Sequence, residues 1–106
     1  MNEHSILEVR TTLEKLLGQL KEAEKLSQSK ETHSERFKVS LKGIRQTATI
    51  GRERSRIVGD QTPYEGHFIG ILDDLDDAER QGSNGVDLAD LLKRNRKAIE
   101  STLSQE

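Results

Sequence analysis

Apolar side chains recur at spacings of three, four or seven along most of the chain. The first set is Ile6, Val9, Leu13, Leu16, Leu20 and Ala23, and the second is Phe37, Leu41, Ile44 and Ala48. Tyr64, Phe68, Ile71, Leu75 and Ala78 follow, then Leu88, Leu92, Ile99 and Leu103. This spacing keeps one side of an α-helix apolar, whereas a strand would alternate every second residue. The segments between are rich in Leu, Glu, Lys, Arg and Gln, and Pro63 is the sole proline. The pattern predicts an all-α chain with helices roughly over 5–27, 34–58, 63–80 and 87–104, forming one domain over 1–106.

Capping signals sharpen these bounds. Ser5 with Glu8 has the form of a capping box. Gly59 can supply the left-handed residue that ends the second helix. Thr62, Pro63, Tyr64 and Glu65 fit N-cap, N1, N2 and N3 in order. The third helix should stop near Gly82, and Val86 with Leu91 can staple the last helix around an Asp87 N-cap.

The segment Leu26–Glu35, LSQSKETHSE, decides how the first two helices relate. Labelling Ile6 as a and Val9 as d and carrying the heptad through puts Leu41 and Ala48 at a, and Phe37 and Ile44 at d. The phase survives, and no Gly, Pro, Asn or Asp occurs between Gly18 and Gly43. One long coiled-coil helix followed by a C-terminal helical hairpin is therefore the alternative. Against it, the carried register places Ser27, Lys30 and Ser34 at successive core positions, and Thr32 with Glu35 forms a second capping box. The balance favours a turn and an antiparallel bundle of about four helices.

Composition then narrows the function. Only 31% of the 106 residues are hydrophobic and 3% aromatic, so the core is thin, which favours self-association along the stripe Ile6, Val9, Leu13, Leu16, Leu20, Phe37, Leu41 and Ile44. Cysteine is absent, which excludes a disulfide framework and a thiolate metal site. No basic segment leads into an apolar run at the N-terminus and no stretch approaches the ~20 apolar residues of a membrane span. The expectation is a cytoplasmic protein without a signal peptide.

Charge is unevenly spread. Seven basic residues and one acidic residue, Glu53, lie between Arg36 and Arg56. On a helix Lys38, Lys42, Arg45, Arg52 and Arg56 share a strip beside the apolar face, a pattern able to hold phosphates or to pair with neighbouring carboxylates. The latter use is the better fit, given a net charge of −2 and few aromatics for stacking. A second basic cluster, KRNRK at 93–97, sits within the last helix, where Asn95 falls on or beside the inner stripe. The segment 56–67 joins the strip to the acidic helix and holds Tyr64 and His67, so it is the first place to look for a small-ligand site.

The acidic run DDLDDAE, Asp73 to Glu79, resembles the paired acidic motifs of all-α nucleotide pyrophosphatases, which implies a divalent-metal site. That family also needs a helix with two glutamates three apart, and this chain has none. The aspartates fall mainly off the Tyr64, Phe68, Ile71, Leu75 stripe, as on a solvated face. His4, His33 and His67 show no metal-ligand spacing, and no phosphate-cradling loop or nucleophile motif occurs. The expectation is a small helical binding or assembly protein, homo-oligomeric or with a helical partner, without cofactor or catalytic residues. A phosphate-binding module for nucleic acid or a nucleotide-like ligand is the alternative, and a metal-dependent nucleotide hydrolase a weaker one.

Overall fold

The computed structural model describes residues 3–28, 35–58, 63–82 and 85–105, with side chains from residue 6 in the first segment and from 88 in the last. Four helices account for nearly all of them: α1 (Glu3–Gln28), α2 (Glu35–Val58), α3 (Glu65–Gln81) and α4 (Gly85–Ser104). Cross-helix contacts fix their directions. Arg36 reaches Glu22 at 3.9 Å and Arg54 Nη1 donates to Thr12 Oγ1 at 2.8 Å, so α1 and α2 run antiparallel. Arg45 meets Asp76 while Gly51 lies against Phe68, His67 meets Thr102 while Asp74 meets Asn95, and Arg96 meets Glu24 while Glu100 meets Lys21, which makes α2–α3, α3–α4 and α4–α1 antiparallel too. The helices close a ring in chain order, an up-down four-helix bundle 44 Å long.

The turn after α1 is thereby favoured over the long helix, since α1 stops at Gln28 and α2 returns beside it from Glu35. The Thr32 cap and the Gly59 terminator lie outside the described residues. Several expected starts shift. α1 begins at Glu3, which puts Ser5 inside the helix. α4 begins at Gly85, two residues before the expected Asp87 cap. Thr62 lies outside the described residues, and α3 starts at Glu65 with Tyr64 as its N-cap. The Tyr64 ring is buried in the core, while its carbonyl accepts from the His67 and Phe68 amides at 3.0 and 3.5 Å. Core packing of the ring and these two bonds set the boundary, and no side-chain cap is used. Gly82 ends α3 as expected, with φ 64° and its amide bonded to the Ala78 and Glu79 carbonyls.

The apolar stripes converge on one core. Val9, Leu13, Leu16, Leu20, Phe37 and Ile44 are buried, and Ile6 and Leu41 pack against them half-buried. These eight positions, expected to serve also as an oligomer seam, are used up within the single chain. Burial at ~25 cal/mol per Å² makes them the main source of stability. On α2 the inner stripe turns small after Ile44, through Ala48, Gly51 and Ser55. A Cβ on Gly51 would lie 2.2–2.5 Å from three ring atoms of Phe68, so the absent side chain is what admits that ring. Ser55 is fully buried and its hydroxyl has no partner among the described residues. No described helix is long and apolar enough to cross a membrane.

Candidate functional site

The five basic residues all lie on α2, where Lys38, Lys42 and Arg45 line a cleft shared with α3 and Arg52 and Arg56 continue the strip toward the helix end. Across the cleft α3 is acidic, and the two helices partly neutralise each other. Arg45 donates from Nη1 to Asp76 at 2.5 Å and from Nη2 to Glu79 at 3.2 Å. Lys38 lies 3.7 Å from Glu35, and Arg52 and Arg56 lie 3.7 and 3.6 Å from Glu53. These exposed pairs each contribute at most ~1 kcal/mol, but they occupy the cations. Lys42 is the member of the strip that has no ion pair among the described residues.

The other expected ligand positions separate from the strip. Tyr64 is core. His67, on the opposite flank of α3, is half-buried with Nε2 2.7 Å from Thr102 Oγ1, and burial lowers its pKa below 6.5. The contact of His67 is thus with α4 and not with the strip on α2. The acidic run spreads over the surface of α3: Asp73, Asp76 and Asp77 are exposed, Asp77 pairs with Arg80, and no group of three carboxylate or imidazole ligands occurs among the described residues. Asp74 is half-buried and accepts from Asn95 Nδ2 at 3.0 Å, while the same amide reaches the Leu91 carbonyl at 2.9 Å. Asn95 thus ties α4 to α3 at one level, as a register-fixing residue does.

The KRNRK cluster is also divided. Arg96 grips Glu24 on α1 through Nε at 2.6 Å and Nη2 at 3.3 Å, and Glu100 through Nη1 at 2.6 Å. Lys21 approaches Glu100 at 3.8 Å. The hydrogen bond to Glu24 raises the Arg96 pKa further above its usual range. Glu24 is only 8% exposed, and this network links α1 and α4.

Two features were not apparent in the periodicity. Where Lys38, Lys42 and Arg45 lie along α3, a cleft of about 460 Å³ opens over Leu41, Leu75, Ala78 and Leu88. The second feature lies on the opposite side of α2 from the core, where Val39, Ile50 and Ile57 are 64%, 49% and 77% exposed. Eleven and seven residues are close to three and two whole helical turns, so the three fall on one outward line. Their spacing was in the sequence, masked by the stronger inner stripe. No protein-family model, curated protein or solved structure matches this chain.

Proposed function

We propose that the chain is a helical assembly protein that pairs with a second copy of itself through the outer face of α2. The carrying observation is the outward line of Val39, Ile50 and Ile57 on a helix whose inner face is already satisfied within the bundle. Isolated surface apolar residues are ordinary, but three on one helical line make a stripe. A second copy fits it because the spacing is self-complementary. With two α2 helices antiparallel about a two-fold axis level with Ala48, Val39 of each copy faces Ile57 of the other, and Ile50 faces Gln46. The same register sets Lys42, which has no ion pair among the described residues, beside Glu53 of the second copy. A single helix pair is small beside the ~1,600 Å² of a standard interface, which places the contact in the transient class.

The phosphate-binding alternative has less support, since four of its five cations already meet carboxylates. A cysteine-free helical assembly protein suits a reducing compartment, and this reading keeps the cytoplasm as its place. The test uses the same absence of cysteine. Val39→Cys with Ile57→Cys should give a disulfide-linked dimer under mild oxidation. The two positions are about 27 Å apart along one helix, so the bond cannot form within a chain. Persistent monomer, with the variant folded, would reject the pairing.

A further inference from the structure

We infer that the groove between the end of α1 and the start of α2 is the seat for Ile57 of a second copy, an inference that rests on the α2 pairing proposed above. The groove has a volume of about 460 Å³ and is lined by Glu22, Leu26, Glu35, Arg36, Val39 and Ser40. Val39 is thus both a wall of the groove and the first residue of the outward apolar line. Around the mouth the charges offset one another, since Arg36 lies 3.9 Å from Glu22 and Lys38 lies 3.7 Å from Glu35. A neutral apolar group therefore suits the opening better than an ion does.

The register of the pairing selects that group. With two α2 helices antiparallel about Ala48, Ile57 of the second copy arrives level with Val39. Two β-branched side chains on facing lines cannot share one position, so Ile57 must step to one flank of Val39. At about 100° per residue Ser40 stands on the flank toward α1, whereas Lys38 and Lys42 stand on the flank that lines the cleft with α3. Toward α3 the isoleucine would cover ammonium groups, and their desolvation opposes the move. Toward α1 it covers Val39, Ser40 and the edge of Leu26, so apolar surface leaves water without ionic cost. Ile57 is also the most exposed large apolar side chain among the described residues, at 77%. The two-fold axis repeats the seat, and α1 of each copy thereby joins the interface, with Ser40 setting how closely the partner fits.

Disulfide trapping in this cysteine-free chain separates the two flanks. Ser40→Cys with Ile57→Cys should link two chains under mild oxidation about tenfold faster than Lys38→Cys with Ile57→Cys. Both pairs of positions are about 25 Å or more apart along α2, so neither bond can close within one chain. A Ser40 pair that links no faster than the Lys38 pair, while Val39→Cys with Ile57→Cys still links, would overturn the seat and leave the pairing standing. Failure of all three pairs would remove both. As a second readout, Ser40→Glu sets a carboxylate in the seat and should weaken association about tenfold in sedimentation equilibrium, whereas Lys38→Gln should leave it unchanged. Association of Ser40→Glu as tight as that of the wild type would likewise overturn the inference.

Discussion

Replacing Gly51 by alanine separates this packing from a generic helix. Within a helix the change is ordinarily favourable by ~0.8–1 kcal/mol, because glycine loses more backbone freedom on folding. Here the new Cβ would stand 2.2–2.5 Å from the Phe68 ring, against the ~3.5–4.0 Å of a relaxed carbon contact. Three atoms of a buried, rigid ring are met at once, so neither side can step aside cheaply, and overpacking of this kind costs ~1–3 kcal/mol. The net expectation is a loss of up to about 2 kcal/mol, or up to roughly 10 °C in Tm for a domain of this size. Gly18 supplies the control, since nothing lies within 4 Å of its Cβ position and it is exposed on α1. Gly18→Ala should stabilise by ~0.5–1 kcal/mol in the same urea and thermal melts followed by circular dichroism. Phe68→Leu should remove most of the penalty, giving a coupling of about 1 kcal/mol in the double-variant cycle. If Gly51→Ala stabilises as much as Gly18→Ala, or costs the same in both backgrounds, Phe68 does not fill the gap left by Gly51.

Ser55→Ala should stabilise by about 1 kcal/mol in urea melts, because it removes a buried hydroxyl that has no partner among the described residues and improves helix propensity. For His67, burial favours the neutral ring in the fold, so its contribution is complete above pH ~6.5 and is lost as pH falls below that value, where the unfolded chain takes the proton first. Stability should therefore decline as pH falls below about 6.5, and His67→Gln should flatten that slope; an unchanged slope would reject the assignment. Arg96→Met should lower Tm by stranding Glu24, and adding Glu24→Leu should recover much of the loss, as measured by parallel thermal melts.

The helical architecture was legible because periodicity reports which face of each helix is buried, and inner positions such as Val9, Leu13, Phe37, Ile44, Phe68 and Ile99 follow from spacing, whereas buried Val58, Thr47, Gly51 and Ser55 on α2 do not. Helix starts were less legible. Tyr64 looked like an N2 residue because Thr62 and Pro63 fit the preceding positions, yet burial of its ring and the bonds to its carbonyl decide the boundary. Partnerships between distant charges were hidden because they depend on which helices are neighbours. Arg96 read as part of a basic surface until α4 was seen beside α1, where Glu24 waits one turn from Lys21. Arg45 was expected to pair with a carboxylate, but which one became visible only when α3 brought Asp76 and Glu79 to it. The cleft over Leu41 and Leu88 needs three helices at once and has no local signature. The outer line of α2 was present in the spacing of Val39, Ile50 and Ile57, but only closure of the core within one chain makes an outward apolar line informative.

Self-association through that line is the central claim, and sedimentation equilibrium tests it most directly. Wild type across about 10 µM to 1 mM should shift from one chain mass toward two, a range matched to a small interface. Ile57→Lys, at a position 77% exposed and therefore neutral for the fold, should keep the monomer mass throughout with unchanged helicity. A wild-type chain that stays monomeric at the highest concentration, or an Ile57→Lys variant that associates as well as wild type, would contradict the account.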